Sequence, residues 1–238
     1  YSISLITPKI LLHCTGKCRI FCILSDIKLS IINPSMRNIK NDLTRYQNIR
    51  SAPFRGFNRE GNEIFITTRF GNVSQLHRVR KQGGAREQIT FFGEPIGSIS
   101  RKPGGKSIAF TMDAGGTENN QIFLLDTKDG SSVMLTDGKS RNGGPLWEKN
   151  GSRIAFQSTR RNGQSNDVWI MDSKDSNSAE MILESPDGTW WGPSDWSKDG
   201  KKILIQNYIS ITNSKAYILD VESKKKEMIL GSSEIESY

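Results

Sequence analysis

The chain has 238 residues, 35% hydrophobic and 24% charged, with a formal net charge of +8; this length admits one β domain with a sizeable core and demands no second domain. The charge invites a nucleic-acid partner, but residues 1–50 carry +6 of it and the rest of the chain only +2. The bulk of the chain has no compositional basic stripe, which argues against nucleic-acid binding.

Residues 1–44 read as a poorly defined leader outside the pattern that follows. They hold all three cysteines, Cys14, Cys18 and Cys22, with His13 beside the first. A zinc site of common spacing needs a second, distant ligand pair, which is missing, so unpaired thiols are the simpler reading. The apolar runs Ile10–Leu12 and Ile20–Leu24 are interrupted by Lys17, Arg19 and Asp26, far short of the ~20 apolar residues that span a bilayer. No membrane span is expected, and no signal peptide is cleanly formed. The compartment stays open, periplasm and cytoplasm both being compatible. Tyr rather than Met at position 1 suggests a truncated start.

From residue 45 a hairpin pattern recurs. Trp196-Ser197-Lys198-Asp199-Gly200-Lys201-Lys202-Ile203-Leu204-Ile205 is matched by Trp147-Glu148-Lys149-Asn150-Gly151-Ser152-Arg153-Ile154-Ala155-Phe156. A looser copy starts at Ile99, turns at Gly104-Gly105 with two extra residues before the turn, and returns through Ile108 and Phe110. The earliest copy is Phe57, Gly61, Ile64 and Ile66. The turn glycines Gly61, Gly105, Gly151 and Gly200 are 44, 46 and 49 residues apart, close to the ~40–50 residue period of four-stranded propeller blades. Asn150-Gly151 and Asp199-Gly200 predict two-residue type I′ turns, which need φ > 0 at both central residues.

Each hairpin is followed by two more strand-like runs: Gln75–Val79 and Glu87–Thr90, Gln121–Asp126 and Ser132–Thr136, Asp167–Asp172 and Glu180–Leu183, Ala216–Asp220 and Glu227–Leu230. Asp126, Asp172 and Asp220 close third strands, where a short carboxylate starts a turn more readily than it binds a metal. Trp147, Trp169 and Trp196 are expected to fill space between blades. Trp190-Trp191, placed in a link between units, is the candidate for an exposed aromatic contact. The fold class is all-β: a β-propeller of four-stranded antiparallel blades, about four of them (45–92, 93–138, 139–186 and 187–232), in an incomplete ring.

The Gly192–Ile203 run, Gly-Pro-x-x-Trp-Ser-x-Asp-Gly-Lys-x-Ile, and the Ile154–Arg160 run, Ile-Ala-Phe-x-Ser-x-Arg, resemble the propeller repeats of TolB and of the prolyl oligopeptidase family of serine peptidases. Thr67–Val79 with Gly83–Arg86 and Ile89–Phe92 is similar to the first blade of the peptidase group. The resemblance covers about residues 45–230. It implies a non-catalytic propeller that gates peptide substrates and supports a C-terminal α/β-hydrolase domain, which in that family carries a Gly-x-Ser-x-Gly elbow. That elbow is absent from this sequence, and the two histidines are His13 and His77. No catalytic residue, cofactor or metal ligand is therefore assigned, and the gene is expected to continue past Tyr238 with further blades and the hydrolase domain.

The alternative is a TolB-like scaffold that binds protein partners with no peptidase attached. Loops after second strands, at 69–74, 113–120, 160–166 and 207–214, together with the Trp190-Trp191 link, are expected on one face. Binding residues gather on such loops over a rigid scaffold. The substrate-binding candidates are Arg69, Arg160, Arg161, Trp190 and Trp191, with solvated loop charge as the plainer reading of the arginines.

Overall fold

The computed structural model describes residues 39, 41–44 and 49–231, except 114 and 187. The cysteines, His13 and nearly all of the leader lie outside the described residues. Among the described residues sixteen strands form four sheets. Blade 1 is β1 (Phe54–Phe57), β2 (Ile64–Thr68), β3 (Gln75–Val79) and β4 (Arg86–Gln88). Blade 2 is β5 (Ile96–Arg101), β6 (Ser107–Met112), β7 (Gln121–Asp126) and β8 (Ser132–Met134). Blade 3 is β9 (Leu146–Trp147), β10 (Arg153–Ser158), β11 (Asp167–Asp172) and β12 (Glu180–Leu183). Blade 4 is β13 (Trp190–Trp196), β14 (Lys202–Ser210), β15 (Asn213–Asp220) and β16 (Lys226–Leu230). Every sheet is an antiparallel meander in chain order, and the first strands of consecutive blades neighbour one another. This is the all-β propeller architecture expected from the repeat.

The hydrophobic clusters straddle the blades. Phe65 and Leu76 of blade 1 pack with Ile108, Phe110 and Leu125 of blade 2; Ala109, Ile122 and Leu135 pack with Trp147, Ile154, Phe156 and Met171; Ala155, Val168 and Ile170 pack with Trp191, Trp196, Ile203, Ile205 and Leu219. A strand between two neighbouring blades is covered on both faces, so Ile108-Ala109-Phe110 and Ile154-Ala155-Phe156 are buried without alternation. In β14 the alternation returns, with Ile203, Ile205 and Asn207 buried and Leu204 and Gln206 half-buried. Strand period thus reports how many faces are covered.

The hairpins share one design that differs from the expected type I′ turn. The backbone N–H of Asn58, Lys102, Glu148 and Ser197 each donates to the carbonyl five residues on, at 2.9 Å, and Gly61, Gly105, Gly151 and Gly200 donate back across a tighter turn at 2.8–3.2 Å. Gly151 and Gly200 have φ of +75° and +69°, but Asn150 and Asp199 are not left-handed. Their side chains accept N–H bonds from Ser152 (2.8 Å) and Lys201 (3.1 Å), which makes them turn initiators and leaves the left-handed position to glycine alone. In blade 2, Pro103 followed by Gly104 at φ +64° gives the proline-glycine type II form.

The two extra residues expected in blade 2 are not there. Arg101 pairs with Ile108 just as Trp147 pairs with Ile154 and Trp196 with Ile203. Apolar chemistry singles out Ile99 as the tryptophan's counterpart, whereas the ladder puts Arg101 in that place. The expected loop at 207–214 is also mostly strand, because the β14–β15 ladder runs on through Tyr208↔Ser214 to Ser210↔Asn213. Asp126, Asp172 and Asp220 do start turns, each accepting an N–H two or three residues on at 2.7–2.9 Å.

Candidate functional site

One face of the blades carries the loops after the second strands and the blade-to-blade links. The first residue of the third strand ties that face together in blades 1, 2 and 3. Gln75, 4% exposed, donates through Nε2 to Phe92 O (3.1 Å) and Glu94 O (3.0 Å) and accepts from Phe92 N. Gln121 repeats the arrangement, donating to Ser140 O and accepting from Thr136 Oγ1 and Gly138 N. In blade 3 the position is Asp167, which is fully buried. It accepts Ser185 N at 2.8 Å, and its charge requires a cation, because an unpaired carboxylate in the interior is costly.

Arg161 is that cation. Its Nε and Nη2 reach Asp167 at 2.8 and 3.1 Å, and Nη1 reaches Glu184 at 3.0 Å. The adjacent Arg160 turns elsewhere, with Nε 3.6 Å from Asp137 and the guanidinium 5.7 Å from the Trp169 ring. Partial burial works against the Asp137 charge. Even so, bonds from Ser140 Oγ (2.5 Å), Ser140 N (2.9 Å) and Lys139 N, with Arg160 beside them, hold its carboxyl below the ordinary value. Arg69 is half-buried at the end of blade 1's second strand, two blades away from Arg160 and Arg161.

The expectation for the tryptophan pair needs correction. Trp190 and Trp191 do not lie in a link; they open β13. Strand alternation then sends neighbouring side chains to opposite faces. Trp191 is 2% exposed in the core, its ring 5.1 Å from Tyr217 and 4.2 Å from Lys226 Nζ. Trp190 is 36% exposed and pairs across the ladder with Tyr208, 46% exposed. The Trp190 ring lies over Gly192, where a Cβ would stand 2.4 Å from Cη2, and Gln157 Oε1 borders the same spot at 3.0 Å. Asn207 is buried and fixes the lip from below, its Nδ2 donating to Thr189 Oγ1 (2.6 Å) and Trp190 O (3.2 Å).

An aromatic lip with an amide beside it can grip an extended peptide: rings pack on apolar side chains and the amide pairs with backbone groups. Gln157, Asn207 and Tyr208 were not among the sequence candidates. Continued alternation past Ile205 carries the signal for Tyr208; nothing local marks the other two. His77 is fully buried, its Nδ1 3.0 Å from Gln75 O and its ring edge-on to Phe70. Among the described residues no helix is long and apolar enough to cross a membrane.

The fold and this loop face define a β-propeller domain. Residues 95–235 match the family of prolyl oligopeptidase N-terminal β-propeller domains, and the chain belongs to that family. Among solved structures it is similar to a prolyl endopeptidase (TM-score 0.62, 12% identity, over 77% of this chain and 30% of that one). It is also similar to a TolB from Agrobacterium tumefaciens (0.58, 22%, 74% and 63%) and to TolB from Acinetobacter baumannii (0.58, 23%, 79% and 45%). The chain thus spans less than two thirds of each. No curated protein matches it in sequence.

Proposed function

We propose that these blades are the peptide-handling propeller of a prolyl oligopeptidase-like serine peptidase, gating substrates for a C-terminal α/β-hydrolase domain and supporting that domain. The observation that carries the reading is the family match over residues 95–235, which takes in blades 2–4 and with them Arg160, Trp190 and Tyr208. The rings of Trp190 and Tyr208 take the apolar side chains of an extended peptide, and Arg160 meets a carboxylate. The TolB-like alternative rests on the shared repeat runs and on fold likeness. Asp167 and Asp137 favour a positioning part for Arg161 and a shared one for Arg160, so the aromatic lip dominates affinity.

Titrating short oligopeptides and a folded protein against the chain, with tryptophan fluorescence as the readout, tests this. Quenching by oligopeptides, absent with the folded protein and lost in Trp190→Ala and Tyr208→Ala, is the expected outcome. Unchanged quenching in both variants, or no quenching at all, overturns the reading.

A further inference from the structure

The junction between blades 1 and 2 breaks the rule that the other two junctions follow. At blades 2/3 and 3/4 a tryptophan ends the later blade's first strand and donates its indole N–H to a carbonyl of the earlier blade's first strand: Trp147 to Ser100 O (2.9 Å) and Trp196 to Leu146 O (3.2 Å). In the same register blade 2 has Arg101. Its Nη1 is buried and has no hydrogen-bond partner, and a buried donor of this kind is expected to have one.

Beside Arg101 the hairpin face opens into a cleft of ≈ 450 Å³ between the two blades. Its floor is apolar, with Phe65 and Ile108 at 4% and 1% exposure. Its walls are cationic: Arg59 from the first hairpin, Arg78 and Arg80 from β3 and the chain just after it, Lys106 from the second hairpin, and Lys128 from the turn after β7. Two of these charges are already answered. Arg78 and Arg80 both bind Glu87, and Arg80 reaches Glu63 as well; the two guanidiniums hold the Glu87 carboxyl down to about 2. Arg59, Arg101 and Lys106 have no acidic partner among the described residues, Lys128 has Asp129 beside it, and the one further acid on the wall is Glu60.

We propose that this cleft is a binding site for a compact oxyanion ligand, a small molecule carrying two or more phosphate or carboxylate groups, with Arg101 as its anchor. Guanidiniums pair with both oxyanions through two parallel N–H bonds, and partial burial strengthens such bonds over their value in open water. The volume suits a small molecule. An extended polypeptide is a poorer fit, because the floor is closed and apolar. Single-stranded nucleic acid is poorer still, because no exposed aromatic ring lines the walls on which a base could stack. The site lies on the hairpin face, opposite the Trp190 lip, and stands or falls independently of the peptide reading.

The test is calorimetric titration of the full 238-residue chain with pyrophosphate and with citrate at low and at physiological salt, alongside thermal-denaturation midpoints. Saturable binding that raises the midpoint with ligand concentration and weakens with salt is expected. Whichever probe binds more tightly names the oxyanion. Arg101→Met should weaken binding by roughly tenfold or more, in line with the loss of charged hydrogen bonds. If that variant fails to fold, the Arg59→Ala/Lys128→Ala double variant decides, since both side chains are exposed; it should weaken binding by a similar factor. Lys198→Ala, on the blade 4 hairpin, should bind like the parent. No saturable binding of either probe overturns the proposal. So does equal loss in Lys198→Ala, binding that survives in the Arg59→Ala/Lys128→Ala variant, or a polyglutamate that binds while neither small probe does.

Discussion

The junction of blades 3 and 4 and the junction of blades 1 and 2 are built from the same hairpin and the same strand register, and each leaves a cleft on the hairpin face, of ≈ 390 and ≈ 450 Å³. At the end of the first strand, however, one is sealed by hydrogen-bonded groups and the other is left open, with a donor unpaired. At the sealed junction Trp196 is 3% exposed, and Arg153 stacks 4.9 Å from its ring. Arg153 also donates to Glu148 (2.8 and 3.1 Å) and to Gly200 O across the junction (2.6 Å). Glu148, with a side chain 4% exposed, further accepts Ser152 Oγ and Asn150 Nδ2, so a nearly buried carboxylate has four donated bonds. At the open junction the tryptophan position is Arg101, with no partner for Nη1. Burial stabilises when every polar group that goes with it is satisfied; a single substitution in the repeat leaves the same geometry with an unpaired donor.

Five substitutions, one of them followed through a pH series, probe that difference, from the largest effect down. Trp196→Ala should lower stability by ~3–5 kcal/mol, the cost of emptying a large aromatic site, read as a shift of the denaturation midpoint at unchanged slope. An effect below ~1 kcal/mol would mean the junction is not held by the ring. Gly200→Ala should follow at ~3 kcal/mol. Alanine strains at φ +69°, and its Cβ would fall 1.8 Å from Glu148 Oε1, so the Glu148–Arg153 pair must open as well.

Acid should weaken the sealed junction selectively. Hydrogen bonds from Arg153, partly opposed by burial, hold the Glu148 carboxyl below its ordinary 4.5. A depressed folded-state value gives stabilisation that is fully present above pH ~4.5 and lost as pH falls through the folded value. Midpoints measured from pH 7 down to pH 3 should therefore fall less steeply in Glu148→Gln, which starts lower at neutral pH, than in the parent. Parallel curves would remove Glu148 from the account.

Smaller effects sharpen the contrast. Lys149→Ala removes an ion pair with Asp195 that also spans blades 3 and 4, but with side chains 46% and 55% exposed, so no more than ~1 kcal/mol should be lost, and less in high salt. At the open junction, Arg101→Met removes a donor that satisfies nothing and should stay within ~0.5 kcal/mol of the parent in the absence of ligand. A loss comparable with Trp196→Ala would show that Arg101 seals its junction after all.

Much of this architecture is legible in the residues themselves. The recurrence of turn glycines and of Ile64, Ile108, Ile154 and Ile203 seven residues after the end of each first strand follows from local rules, because a strand alternates every two residues and a left-handed turn needs glycine. The tertiary structure decided what depends on which surface lies opposite. Trp190 and Trp191 are adjacent and identical in chemistry; only the start of β13 one residue before Trp191 sends one to the core and leaves the other on the lip. Arg160 and Arg161 are equally charged, but a buried Asp167 takes the second, while the first divides between Asp137 and the Trp169 ring. Arg101 gains its meaning from the ladder that aligns it with Trp147 and Trp196. Local sequence sets the conformation each segment prefers, whereas burial and pairing are properties of the surface opposite, which exists only once the blades have packed.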